Sequence, residues 1–474
     1  MIWSVAWKNI WRNKTRSLVI LVAISLGLLA GIFSVGFMMG MVEQRINNSI
    51  HNELSHIQIH NPEFLKNDEI DFTIKNAGEV INTVKNIPEV NAVAKRIKIN
   101  AMANTSGNNV GVTVYGVHPE QEEAVFDISE NIIEESGSYL NGDSKNKIVI
   151  GEELAEQLNI IQFKITDVTL KELPEAEVPE KVVTELDSLK DELFRSENDF
   201  EDALVHLLGK NKKQKFYSRI KAHSKVYNSR SKIVLTMQDT DGNLTGGAFR
   251  IAGIYGISNS AYETMNVFVR FDDLSRITNM DSSKVHEIAV LLNEREQAPQ
   301  VVQKLKDEFP GKSIRLWKKI QPDLAVTTQY VEISYYIIII FILLALGFGI
   351  INTMLMAVLE RIKELGMLMA IGMNRKRVFL MIMLETVYLT LTGAVVGMIL
   401  GYLLIEITGS VGIDLSMYAE GFSAIGYSTL IYPKINFEFF IGVAGLVIAT
   451  GMLSSVYPAI KALKLNPVEA TRTE

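Results

Sequence analysis

Four long apolar runs punctuate this chain, at residues 18–42, 335–359, 378–404 and 437–457, and the sequence between them reads as ordinary water-soluble protein. About 20 apolar residues cross the roughly 30 Å of bilayer hydrocarbon, so each run predicts a membrane-spanning helix. With their flanks, the spans are assigned to 17–42, 332–359, 378–406 and 437–458. The first run is longer than a signal-peptide core of about 7–15 residues, and no small-residue cleavage site follows it, so it predicts a retained helix. Lys and Arg recur in the N-terminal segment 1–16, in the loop 360–377 and in the tail 459–474. Cationic loops stay in the cytoplasm, which places both termini there and residues 43–331 on the far side. The short loop 407–436 is external on the same reasoning.

Within 43–331 the apolar period changes. Alternation at 56–60, 96–103, 110–117, 232–238, 249–255, 267–271 and 286–292 predicts strands. Residues 77–86 and 298–309 predict helices, each stopped by a following proline, and 148–158 predicts a strand running into a helix. The fold class expected is therefore an integral membrane α-helical protein with four spans, carrying a large α+β domain between the first and second. Residues 171–231 interrupt the rhythm: acids crowd the stretch from Glu172 to Asp202 and bases the stretch from Lys210 to Arg230, while Val182, Leu186, Leu189 and Leu193 keep a helical period. This predicts an inserted helical pair whose halves attract each other.

The loop 360–377 is more than a charged connector. Arg361, Lys363, Arg375, Lys376 and Arg377 are interleaved with an apolar stripe of Ile362, Leu365, Leu368, Met369 and Ile371, the pattern of a helix that docks onto something. At the N-terminus, Trp3, Trp7, Ile10 and Trp11 lie near one helical face among Lys8, Arg12, Lys14 and Arg16, as in a helix lying in the headgroup layer of membrane lipid. Gly27, Gly31, Gly36 and Gly40 mark the first span. Gly393, Gly397 and Gly401 mark the third at strict four-residue spacing, which allows close backbone approach within one chain or between two.

Composition narrows the chemistry. A net charge of −7 argues against nucleic acid as a partner, and with no cysteine there is no disulfide, thiolate metal site or cysteine nucleophile. Gly311-Lys312-Ser313 resembles the end of a phosphate loop, but Lys306 stands where that loop needs glycine, and the segment faces away from cytoplasmic ATP. His56 and His60 share a strand face but have no obvious further ligand, so a structural role is expected, with no metal and no bound cofactor on this chain. Glu385, beside Thr386 and Tyr388, lies inside a span, where acids are costly. A hydrogen bond fixing helix packing is expected for it, with Asn352 as a candidate partner. No catalytic arrangement is legible in the outer domain, so an enzyme is not expected.

Several motifs together resemble the permease subunits of the MacB/LolC/LolE/FtsX group of ABC transporters, the mechanotransmission type. They are residues 7–14 (WKNIWRNK), 360–366 (ERIKELG) with 370–372 (AIG), and 458–462 (PAIKA) with 467–470 (PVEA). In the outer domain, 116–120 (GVHPE), 150–155 (IGEELA) and 249–255 (FRIAGIY) look most like the lipoprotein-releasing LolC/LolE branch. The resemblance implies an outer domain of the Porter-plus-Sabre kind in the periplasm of an inner-membrane protein. It implies a separate, LolD-like ATPase that binds ATP and Mg, and a second permease chain, identical or related. It also implies a lipoprotein load and a soluble periplasmic carrier. On this resemblance Glu360, Arg361, Lys363, Glu364, Gly366 and Gly372 form the ATPase-coupling segment. Efflux of a small molecule or peptide from the periplasm, or signalling to a periplasmic hydrolase, are the alternatives the wider group offers.

Overall fold

The computed structural model describes residues 7, 12, 14–142, 145–176, 178–228 and 231–463. Trp3, Lys8, Ile10 and Trp11 of the expected interfacial helix, and the 467–470 motif, lie outside the described residues. The chain divides into two units: Met1–Gln44, Val326–Asp414 and Leu430–Glu474 form one, and Arg45–Ala325 with Leu415–Thr429 the other.

In the first unit, four helices are long and apolar enough to cross a membrane. They are Lys14–Ser49, Pro322–Glu360, Arg375–Val411 and Phe437–Leu463. Each outruns its hydropathy-defined span at one end or both. The first span continues beyond Val42 as a helix to Ser49, then as a π-helical turn, Ile50–Leu54. Small residues set how the spans meet. A Cβ on Gly393 would come 2.9 Å from Ile24 Cβ, one on Gly397 2.8 Å from Ser25 O, and one on Gly401 3.0 Å from Ile32 Cγ2. The glycine ladder of the third span is therefore the seam with the first span of the same chain, and Ser25 Oγ donates to Gly393 O across it at 3.0 Å. The fourth span meets the third in the same manner, with Gly451 against Thr390.

The second unit is built on a nine-stranded sheet. Its strands are β1 (Ile57–His60), β2 (Val90–Asn104), β3 (Asn109–Val117), β4 (Lys147–Gly151), β8 (Lys232–Gln238), β9 (Leu244–Tyr255), β10 (Asn266–Arg270), β11 (Glu287–Leu292) and β12 (Ser313–Leu316). The order is β12-β1-β11-β2-β3-β10-β4-β9-β8, and β8 also pairs with β2, so six strands close into a ring. Pairs β3–β10 and β4–β9 are parallel and the others antiparallel. β11 is buried along its whole length, as a strand covered on both faces should be. The motif at 150–155 ends β4 and opens the helix Glu152–Gln157; a Cβ on its Gly151 would lie 2.3 Å from Glu263 O, so the backbones touch there.

The charged insertion departs from a plain helical pair. The helices Glu180–Leu186 and Glu197–Ser224 are present, the latter kinked at Gly209, but a three-stranded sheet accompanies them, with β5 (Ile161–Lys164) between β6 (Leu193–Phe194) and β7 (Lys225–Tyr227). Two or three residues are too few to show a strand period, so β6 and β7 were invisible to pattern. The attraction between halves is present: Lys212 meets Glu185 at 2.7 Å, Lys213 meets Glu201, and Lys221 bridges Glu197 and Glu156 at 2.7 and 2.8 Å.

Candidate coupling site

The second span ends at Glu360, and Arg361 leaves the helical region (φ −103°, ψ 19°) before the short helix Ile362–Ala370 begins. Gly372, at φ +97°, turns the chain back, a conformation that costs glycine little. Asn374 then caps the third span, its side chain accepting from Lys376 N at 3.0 Å.

The stripe expected to dock elsewhere is largely used at home. Leu365 and Gly366 are buried, and Leu368 and Met369 pack against the core of the spans. The face left outward carries Lys363, Met367 and Ile371, followed by exposed Gly372, Arg375, Lys376 and Arg377; Glu360 is exposed as well. Met367 and Ile371 are 55% and 79% exposed, large values for apolar side chains outside the spans.

Behind that face lies an ionic chain. Arg12 donates to both carboxylate oxygens of Glu364, at 2.5 and 2.6 Å. Arg361 donates to Glu364 at 3.0 Å through Nε, and through Nη1 to both oxygens of Glu385 at 3.2 Å. Hydrogen bonds from Arg12, and then Arg361, hold the Glu364 carboxyl below the usual carboxylate range. Arg12 and Glu364 are about half exposed, whereas Glu385 is nearly buried. Glu385 lies ten residues beyond Arg375, about 15 Å along the helix axis. The partner it finds is Arg361 and not the expected Asn352, which is exposed. Trp7 packs edge-on against Tyr388, ring centroids 5.5 Å apart, which ties the N-terminal segment to the third span as Arg12 ties it to the loop helix. The loop helix and the third span are thus joined by a charged pair, Arg361 with Glu385.

The outer unit holds polar clusters that sequence reasoning missed. Arg45 and Glu53 pair at 2.9 Å with both side chains buried; Ser49 accepts from Arg45 at 2.8 Å and donates to Gln321 at 3.2 Å, and Asn259 donates to Glu53 at 2.9 Å. The positions 45, 49 and 53 repeat every four residues, a signal available in the sequence. Arg96 is fully buried between Glu122 and Glu287, with Phe126 3.6 Å from its guanidinium carbon. His60 is structural: its Nδ1 lies 3.1 Å from His286 O and its Nε2 3.0 Å from Gln58 Oε1. His56 Nδ1 accepts from Leu292 N at 3.1 Å. Lys312 of the phosphate-loop look-alike donates to Lys75 O at 2.6 Å. Among the described residues, no group of three or more His, Asp or Glu is arranged to hold a metal ion.

Residues 336–467 match the family model of the FtsX-like permease C-terminal region, and residues 17–171 match the MacB-like periplasmic core domain, ending where the charged insertion begins. In these two regions the chain is similar to ABC transporter permeases of the MacB/FtsX type, and it spans 60% or less of the length of the two curated relatives described next. The chain is 26% identical over 250 residues to an uncharacterised ABC transporter permease of Methanocaldococcus jannaschii, a match covering 49% of this chain and 60% of that one. It is 33% identical over 162 residues to the macrolide export ATP-binding/permease protein MacB of Chlorobium luteolum, covering 34% of this chain and 22% of the relative's length. A solved structure of the periplasmic region of MacB from Actinobacillus actinomycetemcomitans is 10% identical, with a TM-score of 0.30, over 59% of this chain and 97% of that one.

Proposed function

We propose that this chain is the membrane subunit of a transporter driven by a separate ATPase, and that the loop helix Ile362–Ala370 is where that ATPase docks. The observation that carries the reading is the split of one short helix between two tasks. Its outward face presents Lys363, Met367 and Ile371, while Arg361 and Glu364 behind it form the ionic chain to Glu385. ATP and Mg belong to the partner, and two permease chains, identical or related, complete the assembly. Glu360, Lys363 and Gly372 are the contact residues in this account. Arg361, Glu364 and Gly366 transmit from behind, and Glu385 receives. The test is co-purification of the cognate ATPase with the permease carrying Lys363→Glu and Ile371→Glu. Loss of the ATPase from a permease that still folds is expected; undiminished binding removes the assignment.

For the load, the reading is release of a lipoprotein from the membrane to a periplasmic carrier, and its support is the likeness of the outer-domain motifs to that branch. Two of those motifs have local structural reasons: Gly151 touches the backbone of Glu263, and Gly116 leaves room for Leu274. They speak for the fold more than for the load. Efflux of a small molecule or peptide from the periplasm is the second reading, favoured by the macrolide-export name of several relatives. In-cell crosslinking from the outer domain separates the two: an acylated protein in the adduct supports the first, and its absence alongside a captured small molecule supports the second.

A further inference from the structure

The second span has two unlike faces. Inward, Leu346, Ile350, Met354 and Val358 are buried in the core of the spans, and a Cβ on Gly347 would come 3.0 Å from Ser454 Oγ. Outward, Phe341, Ala345, Phe348, Gly349, Asn352 and Met356 repeat at three- and four-residue spacing, and all are exposed. This span is also the least covered of the four: 17% of its apolar window is buried, against 28–39% in the others.

A surface that meets lipid should be apolar, as the third span is at exposed Val395, Val396, Ile399, Leu400 and Leu403. Asn352 breaks that rule. It lies eight residues before Glu360, about 12 Å along the helix axis, which is inside the roughly 30 Å of hydrocarbon. Its amide makes no hydrogen bond among the described residues, and the adjacent Thr353 hydroxyl is occupied by Gly349 O at 2.7 Å. Asparagine is too short to carry its polar end to the headgroups, as lysine or arginine can. A bare amide in hydrocarbon is costly, and in membrane bundles such groups hydrogen-bond to another helix. Room for one exists beside it. Ala345 and Gly349 lie four residues apart, and a Cβ on Gly349 would meet nothing within 4 Å. The ladder at Gly393, Gly397 and Gly401, by contrast, is already filled by the first span of the same chain.

We infer that this face of the second span is the seam with a second copy of this chain, and that Asn352 pairs there with its own counterpart. The inference rests on the reading above that two permease chains form the assembly; it adds which surface joins them and that the two are identical. Identical chains cross the membrane in one orientation, so their two-fold axis stands along the membrane normal and sets each residue of the seam opposite itself. An amide suits that place. It carries both donor and acceptor, so two amides satisfy each other where two like charges would repel. The small residues at 345 and 349 let the backbones approach closely enough for the amides to meet.

The chain has no cysteine, so a single introduced cysteine reports on a single position. The test oxidises membranes of cells making the full chain and its ATPase with copper phenanthroline, and follows the crosslinked dimer on non-reducing gels. Gly349→Cys should crosslink on the order of tenfold faster than Leu453→Cys, exposed on the fourth span, because the seam holds the two thiols together. Asn352→Leu added to Gly349→Cys should slow crosslinking roughly three- to tenfold, the scale of an interhelical hydrogen bond in lipid, and Asn352→Gln should slow it less. An unfolding temperature equal to that of the parent chain verifies that each variant folds. The inference is overturned by equal rates for Gly349→Cys and Leu453→Cys, by a rate indifferent to Asn352→Leu, or by an adduct whose size shows a different chain. The mass of the purified complex separates two failures. Two permease chains without a crosslink from Gly349→Cys remove this seam alone, whereas one permease chain removes the two-chain reading as well.

Discussion

Two arginines in this chain make similar bonds in opposite surroundings. Arg96 in the outer unit is 0% exposed and bonds two carboxylates, Glu122 and Glu287, that are 1% and 3% exposed. Arg361, beside the loop helix, also bonds two carboxylates, but Glu364 is 45% exposed and already shared with Arg12. Burial makes the first cluster an all-or-nothing structural device: leaving one charge unpaired inside the protein costs far more than the pair gains. Exposure makes the Arg12–Glu364 bond worth little on its own, since water competes for each partner. A bond of that kind can be exchanged when another protein arrives. The comparison assigns rigidity to the outer unit and exchangeability to the loop helix, as the proposed flow of force requires.

The strongest challenge to this contrast is to remove Arg96. Arg96→Met should destabilise the outer unit by roughly 3–5 kcal/mol, because Glu122 and Glu287 remain buried without their cation. Hydrogen exchange across β2 and β11 reads the loss. An effect comparable to that of Arg12→Ala would erase the distinction between the two clusters.

Next comes the seam between the first and third spans. Gly397→Val places its branched side chain where even a Cβ would approach Ser25 O at 2.8 Å. A cost of about 1–3 kcal/mol is expected from overpacking. Thermal unfolding in detergent measures it, and Gly442→Val, where a Cβ would meet nothing within 4 Å, is the control.

The pH dependence of the outer unit sharpens the contrast further. Burial lowers the His286 pKa to about 4 from 6.5, so the folded chain binds fewer protons than the unfolded one between those values. Its contribution is complete above pH 6.5 and is lost as pH falls toward 4. Burial raises the Glu263 carboxyl to about 8 from 4.5, which gives the opposite sign: its contribution is complete below 4.5 and is lost as pH rises through 8. Unfolding temperature against pH should lose its acid limb in His286→Gln and part of its alkaline fall in Glu263→Gln.

The smallest effect on stability belongs to the loop. Arg12→Ala should cost under about 1 kcal/mol, the range of exposed ion pairs. Equilibrium unfolding checks it against the parent chain.

The pattern of apolar and charged positions located all four spans and most strands of the nine-stranded sheet, because these elements repeat a local period. It does not mark where the helices end, since hydropathy reports lipid contact and the first helix continues past Val42 to Ser49. At the coupling site, Arg361, Glu364 and Glu385 were legible as residues, but their pairing was not. Arg361 and Glu385 are 24 positions apart and Arg12 and Glu364 are 352 apart, distances over which no local period speaks. The stripe of the loop helix was read correctly as amphipathic, yet Leu365 and Gly366 turn toward the chain's own spans. A single sequence gives the face but not what covers it. The cluster at Arg45 was missed although its i, i+4, i+8 spacing was in view, because a charged helix face at a membrane exit ordinarily reads as solvated.

The account stands most directly on one measurement: hydrogen exchange of the outer domain with ATP, in nanodiscs holding the cognate ATPase, for the parent chain and Arg361→Met. ATP should change exchange in the parent's outer domain, and Arg361→Met should bind the ATPase yet show no ATP-dependent change. An unaltered response in Arg361→Met would contradict transmission through Arg361 and Glu385.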